Sequence, residues 1–166
     1  FFLLQIQDLP NIVKSCQTAG RLSQACPTEE EIELLNAMYD RVRTLATEAS
    51  YSGVRLLVDA EQVRYQPAID NLVLELQRKF NVGEKPIVYN TYQCYLRDAT
   101  ERLRTDLARS ERFGYHFGAK LVRGAYMESE RELATATGSE DPIHSTIDET
   151  HNCYNEAIDY LLKHST

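Results

Sequence analysis

An α/β architecture with parallel strands is predicted by the spacing of three short apolar runs. They begin near residues 54, 87 and 117, roughly thirty residues apart, which is the length of one βα unit. Each interval holds a stretch of helical periodicity. A further observation narrows the choice: Asp59, Asn90 and Arg123 follow the three runs, each at the carboxyl end of a predicted strand. Barrel enzymes keep their chemistry at that end. A doubly wound sheet also satisfies the spacing, but its first βα turn is glycine-rich, whereas this one reads Asp59-Ala60-Glu61-Gln62. The predicted fold is therefore part of a (β/α)8 barrel, since a whole one takes about 250 residues and the chain has 166.

The elements follow in order. Residues 1 to 14 read as a helix interrupted at Pro10, and residues 15 to 31 as a polar linker containing Gly20 and Pro27. Thr28 with Glu31 three residues later forms a capping box, and acidic residues in a first turn suit the helix dipole. Ile32, Leu35, Met38, Val42, Leu45 and Ala49 then recur at helical spacing, predicting a helix that ends near Ser50 with Gly53 as its breaker. Val54 to Val58 reads as a strand buried on both faces, because apolar side chains occupy alternate positions of both parities. A helix is predicted from Gln66 to Phe80, a strand over Ile87-Val88-Tyr89 ending at Asn90, and a helix from Tyr95 to Arg112. The third strand covers residues 117 to 122, and a last helix runs from Ile147 to Leu162.

Lys plus Arg number 18 against 25 Asp plus Glu, a formal net charge of -7. With no dense basic run against that background, nucleic-acid binding has no electrostatic footprint. Hydrophobic residues make up 43%, enough for a packed core, and no apolar run approaches the roughly eighteen residues of a membrane span. Cys16, Cys26, Cys94 and Cys153 form no CxxC pair, and the four histidines share no ligand spacing, so neither a zinc site nor a disulfide framework is expected. Motifs for a serine nucleophile, a zinc protease and a P-loop are absent.

Asp59, at the end of its strand, is the foremost candidate for chemistry; it can equally cap a helix or pair with a cation. Glu61 is a possible partner or plain surface charge. On an extended strand Lys120 and Val122 share one face and Leu121 takes the other. A cation at Lys120 suits a phosphate, a carboxylate or a reduced flavin, and a salt bridge to Asp59 is compatible with each. Gly124-Ala125-Tyr126 offers close backbone approach followed by an aromatic wall, and Asn90-Thr91-Tyr92-Gln93 offers amides and a hydroxyl.

Three stretches carry a resemblance: Leu57-Val58-Asp59-Ala60-Glu61-Gln62, Tyr89 to Asp98 (YNTYQCYLRD), and Phe117 to Tyr126 (FGAKLVRGAY), with Glu140-Asp141-Pro142 and Phe2-Leu3-Leu4-Gln5 in support. Together they resemble the eukaryotic, mitochondrial-type proline dehydrogenase family, of which hydroxyproline dehydrogenases are close relatives. The resemblance implies a (β/α)8 flavoprotein that oxidises L-proline to 1-pyrroline-5-carboxylate with FAD and passes electrons to a membrane quinone. It further implies a mitochondrial location on the matrix side of the inner membrane, with peripheral membrane association. Carried over, Asp59 and Lys120 are the active-site polar pair, Ala60, Asn90, Arg123, Gly124 and Ala125 contact FAD, Tyr126 lines the substrate pocket, and no metal is required. Lys120 stands where the bacterial form has Arg, keeping the charge without the bidentate fork, and Asn90 is read as standing where Gln is usual. Residues 1 to 166 then correspond to the central part of the catalytic barrel, with an active-site lysine expected before Phe1 and the arginines for the substrate carboxylate after Thr166. Two other readings stay open at this point: a lyase using Lys120 as a Schiff-base amine, which needs a neutral, desolvated lysine, and a non-enzymatic α/β scaffold. The choice between proline and hydroxyproline, the electron acceptor and the oligomeric state are not legible in the residues.

Overall fold

The computed structural model describes residues 27–164. The expected helix over residues 1 to 14, most of the linker over 15 to 31, and Cys16 and Cys26 lie outside them. Within them the chain alternates helix and strand: α1 (Glu29–Tyr51), β1 (Leu56–Leu57), α2 (Gln66–Phe80), β2 (Val88–Gln93), α3 (Ala99–Phe113), β3 (Ala119–Val122), α4 (Met127–Thr137) and α5 (Ile147–His164). The sheet is parallel in the order β1-β2-β3. This is the α/β arrangement of consecutive βα units expected of part of a barrel.

Each helix starts and stops for a local reason. Thr28 accepts from the Glu31 amide while the Glu31 carboxylate accepts from the Thr28 amide, closing both halves of the capping box. Pro67 in the first turn of α2 needs no amide partner there. Gly114 and Gly138 end α3 and α4 with positive φ, the left-handed conformation that glycine adopts without a Cβ penalty.

The register decides which side chains reach which face. Leu56 pairs with Val88, Asn90 with Ala119, and Tyr92 with Leu121; these point toward the helices. Leu57 pairs with Tyr89, Thr91 with Lys120, and Gln93 with Val122; these occupy the opposite face. On the helix side, Val88 and Leu56 pack with Leu72, Val73 and Leu76 of α2 and Ala46 of α1, while Tyr92 packs with Leu103, Ile143, Cys153 and Ala157. Cys94 and Cys153 are buried free thiols in the second cluster.

Four expectations are corrected. The first strand is two residues long, not five, and it is not buried on both faces: Val54 is 57% and Leu57 is 49% exposed. β1 has one neighbour among the described residues, and the Val54 amide turns back to the Ala49 carbonyl (2.9 Å) to finish α1. The second strand does not end at Asn90 but runs to Gln93, because its ladder with β3 continues through Gln93 and Val122. The third helix begins at Ala99, not Tyr95; Tyr95 and Leu96 are buried in a loop whose Leu96 bridges Ile143 and whose Arg97 amide bonds the Pro142 carbonyl (3.0 Å). Helix α4 was not expected, its apolar positions being too few for a clear stripe; α1 begins at Glu29, as the Thr28 capping box predicts, so the end of the linker overlaps it.

Asn81, just past α2 and fully buried, ties the strand starts together. Its Nδ2 donates to the Val88 carbonyl (2.9 Å) and the His116 carbonyl (2.9 Å), and its Oδ1 accepts from the amides of Ile87 (2.9 Å) and Val88 (2.8 Å). The His116 amide donates to the Asn81 carbonyl (2.8 Å). Close by, the Gly118 carbonyl receives Gln77 Nε2 (2.7 Å) and the Asn90 amide (3.0 Å). A Cβ on Gly118 would sit 2.3 Å from the Val88 carbonyl oxygen, so only glycine fits.

Two outcomes follow for stability. Asn81→Ala strands four backbone groups, two of them on fully buried Val88, and is expected to lower unfolding free energy by at least about 3 kcal/mol, with Gly118→Ala comparably damaging; urea denaturation of the purified protein measures both. The second concerns Asp106, which accepts from the Tyr92 hydroxyl (2.9 Å) and from Arg109 (2.9 Å). Burial raises its carboxyl pKa above the ordinary value of 3.8. The folded state therefore holds that proton more tightly than the unfolded state, and its contribution to stability falls as pH rises from 3.8 through the raised value. Asp106→Asn is expected to flatten that slope in melts recorded across the acid range.

Candidate active site

The open face of the sheet, at the carboxyl ends of its strands, collects the polar groups. Asp59 follows β1 with its side chain on this face. Lys120 reaches across Thr91 of the middle strand, and its Nζ lies 2.5 Å from Asp59 Oδ1. The Asp59 side chain is 75% exposed and that of Lys120 35%. Such an exposed pair contributes little to folding, so its charges stay available to a ligand. Thr91 is bonded from the same face to the Val58 carbonyl (2.7 Å).

Next to the pair, the loop from Asp59 to Tyr65 is held by side chains from other elements. The Glu61 amide donates to Gln66 Oε1 (2.8 Å), and the Glu61 carbonyl accepts from Gln93 Nε2 (3.1 Å). The Glu61 carboxylate lies near the Tyr126 hydroxyl and raises the phenol pKa above its usual value. Gln93 is 2% exposed, and its Oε1 has no hydrogen-bond partner among the described residues. A buried acceptor left open at a strand end is the kind of group a polar ligand satisfies.

Of the residues picked out in the sequence, the structure brings together Asp59, Lys120, Ala60 and Tyr126, along with Glu61. Gly124 and Ala125 form the exposed turn from β3 into α4. A Cβ on Gly124 would meet the Tyr95 ring at 3.1 Å and Met127 Sδ at 3.0 Å, so packing as well as ligand approach favours glycine there. Asn90 and Arg123 do not join the group. Asn90 lies in mid-strand facing the helices, fully buried, with Nδ2 donating to Asp70 Oδ1 (2.9 Å). Asp70 also accepts from Gln66 Nε2 (2.8 Å) and pairs with Arg102, so Asn90 belongs to a polar knot between β2, α2 and α3. Arg123 directly follows β3 on the helix side, its guanidinium stacked 4.8 Å over the Tyr154 ring of α5. Gln93, marked in the sequence only as part of the Asn90–Gln93 stretch of amides, is the amide on the same sheet face as Lys120. Counting alternate residues from Thr91 along a strand continued to its end would have found it.

Among the described residues no group of His, Cys, Asp or Glu side chains is arranged to hold a metal ion. The arrangement offers a fixed cation beside a carboxylate, a buried amide with an open acceptor, and small residues at two strand ends. Chemically, a positive charge held there favours negative charge on a group brought beside it.

Comparison with known proteins places these features in a family. The sequence profile described as proline dehydrogenase matches residues 5–166. Human proline dehydrogenase 1, mitochondrial, is 52% identical over 136 residues, covering 82% of this chain and 22% of that protein. Bovine hydroxyproline dehydrogenase is 40% identical over 153 residues, covering 91% of this chain and 33% of its own length. The chain thus spans between a fifth and a third of the relatives' lengths. Proline utilization A from Bdellovibrio bacteriovorus superposes with a TM-score of 0.71 at 20% identity, over 95% of this chain and 19% of that one, a likeness of fold.

Because the Asp59–Lys120 pair is exposed, Asp59→Asn is expected to change unfolding free energy by no more than about 1 kcal/mol. Calorimetric melts of the two proteins check it, and a larger loss would make the pair a structural element.

Proposed function

The chain belongs to the proline dehydrogenase family, and from that membership we propose that it forms part of the site at which L-proline is oxidised to 1-pyrroline-5-carboxylate with FAD as the electron acceptor. Electrons would pass on to a membrane quinone, at the matrix side of the mitochondrial inner membrane. A mitochondrial setting is supported by the names of the human, bovine and fly relatives. No helix among the described residues is long and apolar enough to cross a membrane, so any association through them would be peripheral.

The observation that carries the reading is the exposed Asp59–Lys120 pair on the same sheet face as the buried, unsatisfied Gln93 oxygen. The residues fit a flavin: a ring edge that donates N–H answers the Gln93 acceptor, and the ammonium answers charge gained on reduction. When bound, the flavin supplies the redox chemistry, taking a hydride equivalent from the carbon beside the proline nitrogen. Lys120 contributes a positive charge fixed before reaction begins, so stabilising the reduced state requires little reorganisation. Asp59 aims that ammonium. Ala60, Gly124 and Ala125 allow close approach to the backbone, and Tyr126, near Glu61, forms a wall of the substrate pocket. Arg123 offers charge toward the anionic diphosphate of the cofactor from the α5 side. In this reading the amide beside the ring is that of Gln93, and Asn90 acts behind the sheet.

The lyase reading loses support from the same ion pair, because a Schiff-base amine must be neutral and Lys120 sits 2.5 Å from a carboxylate. Hydroxyproline oxidation is the second reading, favoured by the bovine relative.

The test is the visible absorption spectrum of the whole purified protein before and after anaerobic addition of L-proline. A flavin band that bleaches is the expected result. A band bleached by hydroxyproline but not by proline selects the second reading, and folded protein without a flavin band overturns both. Lys120→Ala is expected to slow bleaching on the order of a hundredfold, the scale of losing one preorganised electrostatic group.

A further inference from the structure

Glu130 is a carboxylate only 4% exposed, on the inner side of α4, and no cation pairs with it among the described residues. Burying such a group is costly unless it has a strong partner. Its partner is the backbone amide of Val63, which donates to Glu130 Oε1 at 2.7 Å across 67 residues of sequence. Val63 lies in the irregular loop between β1 and α2, the loop that carries Asp59 and Ala60. Glu130 lies four residues after Tyr126, and its amide closes the first turn of α4 on the Tyr126 carbonyl (3.0 Å). One short, charge-assisted bond thus joins the loop after β1 to the helix directly after Gly124-Ala125-Tyr126.

The remaining ties of the loop point the same way. Gln66 and Gln93 hold the amide and carbonyl of Glu61. Gln66 is anchored in turn on Asp70, which Arg102 and Asn90 also hold. The Gln66 and Gln93 ties meet at Glu61; the Glu130 tie is placed two residues further, at Val63, and is the one that reaches the loop from α4.

We infer that Glu130 is a positioning residue: by clamping the Val63 amide it holds the Asp59–Glu61 loop and the Gly124–Tyr126 turn in one fixed relation, on which cofactor retention and the aim of Asp59 toward Lys120 depend. The inference rests on the flavoenzyme reading for its functional consequence, whereas the clamp itself is measurable without cofactor.

The experiment compares Glu130→Ala and Glu130→Gln in the whole protein. Gln keeps an acceptor oxygen at the same reach, and Ala removes it. In Glu130→Ala, hydrogen–deuterium exchange at the Val63 amide is expected to accelerate at least about tenfold, and FAD, followed by its absorption band after gel filtration with FAD titrated back, is expected to bind about tenfold more weakly. The kcat for proline should fall by more than KM rises. Glu130→Gln should restore all three to within about threefold. Unchanged exchange at Val63 in Glu130→Ala, or a Gln variant as impaired as the Ala variant, overturns the clamp. Faster exchange with unaltered FAD binding and kcat overturns the positioning role and leaves Glu130 a folding contact. A parent protein with no flavin band removes the functional reading instead, and the exchange at Val63 then decides the clamp by itself.

Discussion

The arrangement of this part of the fold depends on how many bonds one amide can make. Asn81 uses two donors and two acceptors, all on backbone groups at the starts of β2 and the segment leading to β3. No other side-chain type of its size offers both kinds of group in that planar geometry. Since the interaction is buried, any offset between the strands would leave polar groups without water or partner. The register that results sets Thr91 against Lys120 and Gln93 against Val122. A shift of one residue would turn Lys120 into the helix layer and take it from Asp59.

The functional face is built on the opposite logic from the layer behind it. On the open face, charges are exposed and lightly held. Behind the sheet, Asn90, Gln66, Tyr92 and Asp106 are buried and, with the partly buried Asp70, Arg102 and Arg109, bonded to one another. A network that satisfied costs little in stability and rigidifies what it touches. Exposed charges need such backing, because a ligand would otherwise have to order them at its own expense.

Much of this was legible in the residues. The βα period, α2 to the residue, and the pairing of Asp59 with Lys120 were all readable, since each depends on local periodicity or on the alternation of a strand. What misled was position without orientation. Asp59, Asn90 and Arg123 look equivalent as polar residues closing apolar runs, yet parity along the strand puts the first on one face and the other two on the opposite face. Strand length was the hidden variable: Thr91 to Gln93 extend β2 because a partner strand is there to receive them, and that partner lies about thirty residues further on. Asn81 and Glu130 were invisible for a related reason. Each is an ordinary polar residue on a helix or at its end, and its role exists only once distant backbone is brought against it.

The bare backbone of Gly118 has a consequence for how the molecule is made. Its carbonyl is bonded to Gln77 and its missing Cβ leaves room for the Val88 carbonyl, so three segments far apart along the chain must meet at one point. No hairpin can form this contact early, because parallel strands are joined only through a helical crossover. On the ribosome, β2 stays without its second neighbour until the chain through Val122 has been synthesised and has cleared the exit tunnel. During that interval its apolar helix-side face and unpaired edge are the surfaces for a chaperone to shield.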